Sequence, residues 1–164
     1  MNAKGFQHMP TLDKTITQLN HLLLACEDGQ LAYRRFAADA EASDLQQLFD
    51  TWAAEHALVI DLTQAQIATY GGRPSDHPSL QGVLREGWYS LKALVAPVHD
   101  DARLHAALEV EQQVRRCFEA LFDEPLSPEF RQQLSEPHKR ALERDTQIRA
   151  LLENPVQRDS SSSG

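Results

Sequence analysis

The sequence predicts an all-α protein in which long helices pack lengthwise, and three observations support this fold class. The strongest is a row of residues whose spacing alternates between four and three, as along the buried face of a packed helix. The chain also has only 7 glycines and 7% aromatic residues, which disfavours a β-sandwich or barrel. Finally, glycine and proline residues divide it into segments of helical length. The row comprises Leu12, Ile16, Leu19, Leu23, Cys26, Gln30, Tyr33, Ala37 and Ala40.

Five helical segments are expected in order along the chain. Ser43 and Asp44 are good N-cap residues for the second segment, and Gly71 with Gly72 should end it. Pro137 lies inside the last segment and should kink it or split off its first turns, because proline cannot donate a backbone N–H. The expected segments are residues 11–42, 43–70, 79–96, 100–122 and 127–153.

The lengths of the connections predict the topology. The turn at 41–43 is tight, so the first two helices should be antiparallel, whereas the connection 71–99 is long enough to cross the whole bundle. The second and fourth segments would then run parallel, which is the ferritin-like four-helix bundle with a short extra helix in its crossover. We expect one domain over 11–153, a flexible N-terminus over 1–10 and a disordered tail over 154–164.

Composition restricts the compartment and the partners. The formal net charge is −8, which argues against nonspecific binding to nucleic acid or to an acidic membrane surface. No apolar run is long enough to span a membrane, and the first ten residues do not resemble a signal peptide. The two cysteines lie within helical patterns, as reduced thiols do in the cytoplasm. We therefore expect a cytoplasmic protein whose partner is another protein or a second copy of itself.

Several sequence segments carry a family resemblance. The chain resembles a bacterial ferritin-like four-helix-bundle family of unknown function, found mainly in proteobacteria, over about residues 17–152. The resemblance implies the fold and no particular activity. The matching residues are Cys26, Asp28, Gly29 and Tyr33 in LLLACEDGQLAYRRFA (22–37), Gly71 and Gly72, Gly87, Trp88, Leu91 and Lys92 in GVLREGWYSLKAL (82–94), Glu109 and Glu111, and Ile148 to Leu151.

This chain also departs from the family pattern. The family often has Glu where Gln30 stands, an acidic residue near Val114 and a histidine near Asp145. Each difference removes or alters a possible metal ligand. A di-iron site of the ferritin-like type also needs Glu-x-x-His pairs, and the sequence contains none.

A weaker indication of an interior site comes from extending the heptad row to two more helices. The second helix gives Leu45, Leu48, Trp52, Glu55, Val59 and Leu62, and the segment 100–122 gives Leu104, Ala107, Glu111, Val114, Phe118 and Leu121. In the crossover topology, Gln30, Glu55 and Glu111 lie at similar depth, and His138 on the last helix falls near them. These four residues are the candidate metal ligands.

Three interpretations of this polar layer stay open. It is a degenerate or mononuclear site for iron or manganese, a hydrogen-bonded layer that fixes helix register, or a set of residues pointing to solvent. The first function hypothesis is a non-enzymatic structural, interaction or stress-associated protein for which no cofactor is expected. The alternative is a metal-dependent oxidase or metal-storage protein that uses iron or manganese bound by core carboxylates.

Overall fold

The computed structural model describes residues 3–74 and 99–154, with side chains from residue 12 onward in the first helix. These ranges contain four α-helices and no β-strand, which confirms the all-α fold class. The extra helix expected at 79–96, with Gly87 and Trp88, lies outside the described residues, as does most of the tail. The helices are α1 (Ala3–Asp39), α2 (Ser43–Thr69), α3 (Asp100–Phe122) and α4 (Pro128–Glu153).

The helix ends mostly follow the sequence signals. Ser127 caps α4 by accepting a hydrogen bond from the backbone N–H of Phe130. Gly71 has a positive φ of 77° and ends α2. Its N–H and that of Gly72 donate to the carbonyls of Ala68 and Ile67, which is the Schellman arrangement.

Two boundaries differ from expectation. The first helix begins at Ala3 rather than near Thr11, because adding residues to an existing helix costs far less than nucleating one. The N-cap of α2 is Ala42, whose side chain forms no cap. The free backbone N–H groups there are instead bound by Asp100, whose carboxylate accepts from Glu41 N and Ala42 N, both at 2.9 Å.

Pro137 does not split the last helix. α4 is continuous from Pro128 to Glu153 with Pro137 inside it. Of the two expected effects, a kink or a split, the split is therefore wrong. Leu134 and Ala141 are both buried on either side of the proline, and this packing offsets the loss of one backbone hydrogen bond.

In cross-section the four helices lie at the corners of a quadrilateral, and each packs against two neighbours. α1 packs against α2 and α3, and α4 packs against α3 and α2. The bonds from Asp100 to the α1–α2 turn put the start of α3 beside the start of α2. Neighbouring helices are therefore antiparallel, while α2 and α3 run parallel on opposite corners, as the sequence predicted. The end of α2 and the start of α3 lie at opposite ends of the bundle.

The buried faces test the heptad rows. On α1 the row is correct from Leu19 to Ala40, with Gln30 half-buried, and on α3 all six members of the row are buried. On α2 the row is displaced, because Leu48, Glu55 and Leu62 are only half-buried. The fully buried row of α2 is Leu45, Phe49, Trp52, His56, Val59, Thr63 and Ile67.

No helix within 3–74 or 99–154 combines the length and the apolar character needed to cross a membrane. α4 illustrates why: its buried face includes Arg144 and Asp145 beside apolar residues such as Ile148. The helices are amphipathic, with the apolar side turned to the bundle axis.

Candidate functional site

Five polar side chains, one or two from each helix, meet in the middle of the bundle and are called the core cluster here. Four of them are 3% exposed or less, and the side chain of Glu55 is 20% exposed. Buried charged groups are rare in proteins unless they are paired, so this cluster is the most unusual feature of the described core. Its members are Tyr33 on α1, Glu55 and His56 on α2, Glu111 on α3 and Arg144 on α4.

Glu111 is the centre of the core cluster. Its Oε1 accepts a hydrogen bond from Arg144 Nε at 2.9 Å, and its Oε2 accepts one from the hydroxyl of Tyr33. His56 Nε2 lies 3.5 Å from the same Oε2. One carboxylate on α3 therefore accepts hydrogen bonds from α1 and α4 and lies close to the imidazole on α2.

Arg144 bridges the two carboxylates of the core cluster. Besides Glu111, its guanidinium reaches Glu55, with 3.0 Å between Nη1 and Oε1. Arg140, one turn earlier on α4, lies 3.7 Å from the other oxygen of Glu55. Burial lowers the pKa of Arg144, but the combined contributions of Glu111, Tyr33 and Glu55 outweigh it and raise the pKa above its ordinary value. The guanidinium is therefore a permanent positive charge between two acidic groups.

His56 is held as a neutral imidazole. Its Nδ1 lies 2.7 Å from the carbonyl oxygen of Trp52 and donates to it, so the Nε2 of the neutral ring carries a lone pair. Burial lowers the pKa of His56 to about 4, and this effect exceeds the opposing influence of Glu111. The contact with Glu111 is thus not an ion pair at neutral pH. Nε2 has no hydrogen-bond partner within the described part of the chain.

Gly29 makes room for His56. A Cβ at Gly29 would lie 2.9 Å from Cδ2 of the imidazole and 3.0 Å from a methyl group of Val110. Both distances are shorter than ordinary van der Waals contact. The absence of a side chain at this position therefore lets α1 approach α2 and α3 closely beside the core cluster.

The structure brings together two of the four candidate ligands predicted from the sequence. Glu55 and Glu111 both contact Arg144. His138 instead packs on the rings of Phe118 and Phe122, at 5.3 and 5.1 Å between ring centroids. It lies six residues before Arg144, about 9 Å along the helix axis. Gln30 is half-buried on α1. The position expected for His138 is thus taken by Arg144.

Sequence reasoning missed His56 and Arg144, although each carries a signal. His56 is four residues after Trp52 and three before Val59, which is the same alternating spacing as in the other rows. Arg144 is likewise three residues after Ala141 and four before Ile148. A polar residue in the middle of an apolar row is a candidate for a buried polar position, and this rule makes both residues candidates beside Glu55 and His138.

The donor set does not fit a dinuclear metal centre of the ferritin-like type. In the described ranges, no group of three or more His, Cys, Asp or Glu side chains is arranged to hold a metal ion. The guanidinium of Arg144 already neutralises charge on both core carboxylates, and it would repel a cation placed between them. Metal binding by Gln30, Glu55, Glu111 and His138 stays a prediction for experiment.

The two cysteines are free thiols with little nucleophilic character. Cys26 and Cys117 are both buried. Burial raises the pKa of Cys26 well above its usual value and raises that of Cys117 to about 11. Because the thiolate is the nucleophile, burial makes both side chains weaker nucleophiles at neutral pH.

Comparisons with known proteins give a family without a defined activity. No curated protein and no solved structure matches the chain. The family model described as "Domain of unknown function (DUF2383)" matches residues 14–124. This range includes Tyr33, Glu55, His56 and Glu111, whereas Arg144 lies beyond it. Because the match covers more than half of the sequence, the chain belongs to the DUF2383 family.

Proposed function

We propose that this chain is a ferritin-like bundle of the bacterial cytoplasm that acts as a structural, interaction or stress-associated protein without a catalytic metal. The parallel orientation of α2 and α3 supports the ferritin-like topology, because it needs one long connection between them. The charge of −8 and the two free thiols support a reducing, cytosolic compartment. The partner is another protein or a second copy of the chain.

The observation that carries this proposal is the bridge from Arg144 to Glu55 and Glu111. A metal ion in the core would use the carboxylates of Glu55 and Glu111 as ligands. In this structure the guanidinium of Arg144 supplies the positive charge that balances them. Arginine stays protonated at any pH at which the protein is folded. Its side chain links α4 to α2 and α3, so the cluster holds three helices in one register.

Elemental analysis tests the absence of a metal. The protein is purified without added metal or chelator, and iron, manganese and zinc are quantified per chain. We expect amounts far below one equivalent for the wild type and for Glu111→Gln alike. Stoichiometric iron or manganese in the wild type that is lost in Glu111→Gln would contradict the proposal.

A metal-binding oxidase or storage protein is the second candidate, and the orientation of His56 favours it. Ligating histidines usually donate their second ring N–H to a carbonyl or carboxylate, as His56 Nδ1 does to Trp52. The lone pair of Nε2 then faces Glu111 at 3.5 Å. A cation could use this pair and Glu55 only if the guanidinium of Arg144 moved away.

Titration with Co²⁺ separates the two candidates, because its visible spectrum reports ligand binding directly. The first proposal predicts no saturable spectrum for the wild type. The metal hypothesis predicts a spectrum that His56→Gln abolishes. The parallel variant His138→Gln asks whether the histidine predicted from the sequence takes part, since His138 packs on Phe118 and Phe122 instead.

A further inference from the structure

Tyr33 is completely buried in a cage of rings. Its ring centroid lies 5.1 Å from that of His56, 5.6 Å from Trp52 and 5.9 Å from Phe49. The only polar atom of its side chain, the hydroxyl, donates to Oε2 of Glu111. The phenol is therefore shielded from water and carries its own proton acceptor.

This arrangement determines how Tyr33 can lose an electron. Burial and the adjacent charge of Glu111 raise the pKa of Tyr33 well above its usual value, so the phenolate does not form. A phenol radical cation in a dry interior would carry a large desolvation cost. If the proton moves to Glu111 as the electron leaves, both products are neutral and that cost is avoided.

Trp52 is an oxidisable neighbour of Tyr33 and can relay the electron. Its ring is edge-on to that of Tyr33 and is itself 2% exposed. Phe49, which packs against both rings, is far harder to oxidise.

We infer that Tyr33, Glu111 and Trp52 form a site of proton-coupled one-electron oxidation. An outer-sphere one-electron oxidant takes an electron from Tyr33 through Trp52, the phenolic O–H bond breaks, and the proton moves to Glu111 Oε2. The products are a neutral tyrosyl radical and a neutral carboxyl group. A thiol then supplies one electron and becomes a thiyl radical as its own proton passes to solvent, while Glu111 returns its proton to the phenolic oxygen and restores Tyr33. The bundle would then consume one-electron oxidants in its core, an activity beyond the scaffold role proposed above.

Photochemical oxidation of the intact protein tests this inference. A tris(bipyridine)ruthenium complex is flash-excited with a sacrificial electron acceptor, and radicals are followed by transient absorption and electron paramagnetic resonance. The chain has three tyrosines, so the double variant Tyr70→Phe/Tyr89→Phe leaves Tyr33 as the only one. We expect a neutral tyrosyl radical in the wild type and in this double variant, and none from this site in Tyr33→Phe.

Two further variants test the proton and electron pathways. Glu111→Gln should slow radical formation by about 100-fold, the lower end of what a positioned proton acceptor contributes. Trp52→Phe should slow it as well, whereas Trp88→Phe, which alters the other tryptophan of the chain, should not. Equal rates in wild type and Glu111→Gln would overturn the inference, as would no radical in the double variant.

A measurement on the wild-type protein tests the proton transfer without relying on variants that could misfold. A carboxyl group that has received the proton donates a hydrogen bond back to the radical oxygen. The paramagnetic resonance spectrum should therefore show a coupling to one exchangeable proton that disappears after long equilibration in D₂O. A radical without this coupling would mean that the proton left the site, which contradicts transfer to Glu111.

Discussion

Arg144 and Glu111 form a buried ion pair across the interface of α4 and α3, with 2.9 Å between Nε and Oε1 and both side chains almost inaccessible to solvent. Removing one partner of such a pair leaves an uncompensated charge in the core, which costs far more than the pair contributes. The consequences of this asymmetry can be measured directly.

Arg144→Met should lower the free energy of unfolding by about 3–5 kcal/mol, because Glu111 would stay buried without its cation. The double variant Glu111→Leu/Arg144→Met should lose less, since both buried charges are then gone and Glu55 can turn to solvent. Urea unfolding followed by circular dichroism measures both. Arg140→Met is the matched control, because Arg140 is half-exposed and should cost below about 1 kcal/mol. Equal losses for Arg140 and Arg144 would contradict the burial argument.

His56 should make the bundle sensitive to acid. In the folded protein its pKa is lowered from 6.5 to about 4, so above pH 6.5 neither state binds the proton and stability is complete. Between pH 6.5 and 4 the unfolded chain binds a proton that the folded chain excludes, and stability falls by up to about 3 kcal/mol. Urea unfolding at several pH values should show this slope in the wild type. His56→Gln should lose it, while His105→Gln, at an exposed position, should keep it.

Gly29→Ala should destabilise the bundle through overpacking. The added Cβ would meet His56 at 2.9 Å and Val110 at 3.0 Å, and overpacking of a tight core usually costs about 1–3 kcal/mol. The better helix propensity of alanine offsets up to about 1 kcal/mol of this. In a His56→Ala background the same change should cost less, because the nearest atoms are gone. A double-mutant cycle without coupling between the two positions would refute the steric explanation.

Asp100 should stabilise the bundle by fastening the α1–α2 turn. Its carboxylate accepts from Glu41 N, Ala42 N and Arg103 Nη1, all between 2.8 and 2.9 Å. Asp100→Ala should cost about 2–4 kcal/mol, since hydrogen bonds to a charged group contribute about 1.5–3 kcal/mol each and their effects are only partly additive. Thermal melts of the wild type and Asp100→Ala measure this loss, and equal melting temperatures would mean that the turn contacts contribute nothing.

The four described helices and much of their buried surface follow from the sequence alone. The heptad row of α1 and the burial of Glu111 on α3 follow from local periodicity, since the 3.6-residue period fixes which side chains share a face. The parallel relation of α2 and α3 also follows from the sequence, because a short turn and a long connection leave few ways to arrange four helices. Ser127 and Gly71 end their helices through local hydrogen bonds, which any reader of the sequence can anticipate.

Which polar groups meet depends on how the helices pack against one another. On α2 two rows with the same alternating spacing, one through Glu55 and one through His56, compete for the core, and packing against Gly29 and Tyr33 selects the second. On α4, His138 and Arg144 are six residues apart, which places them about 9 Å apart along the helix and about 120° apart around it. Both the rotation of α4 and its position along α3 therefore decide which of the two reaches Glu111. Register between helices is set by the summed packing of all four, and a single row of residues does not contain that information.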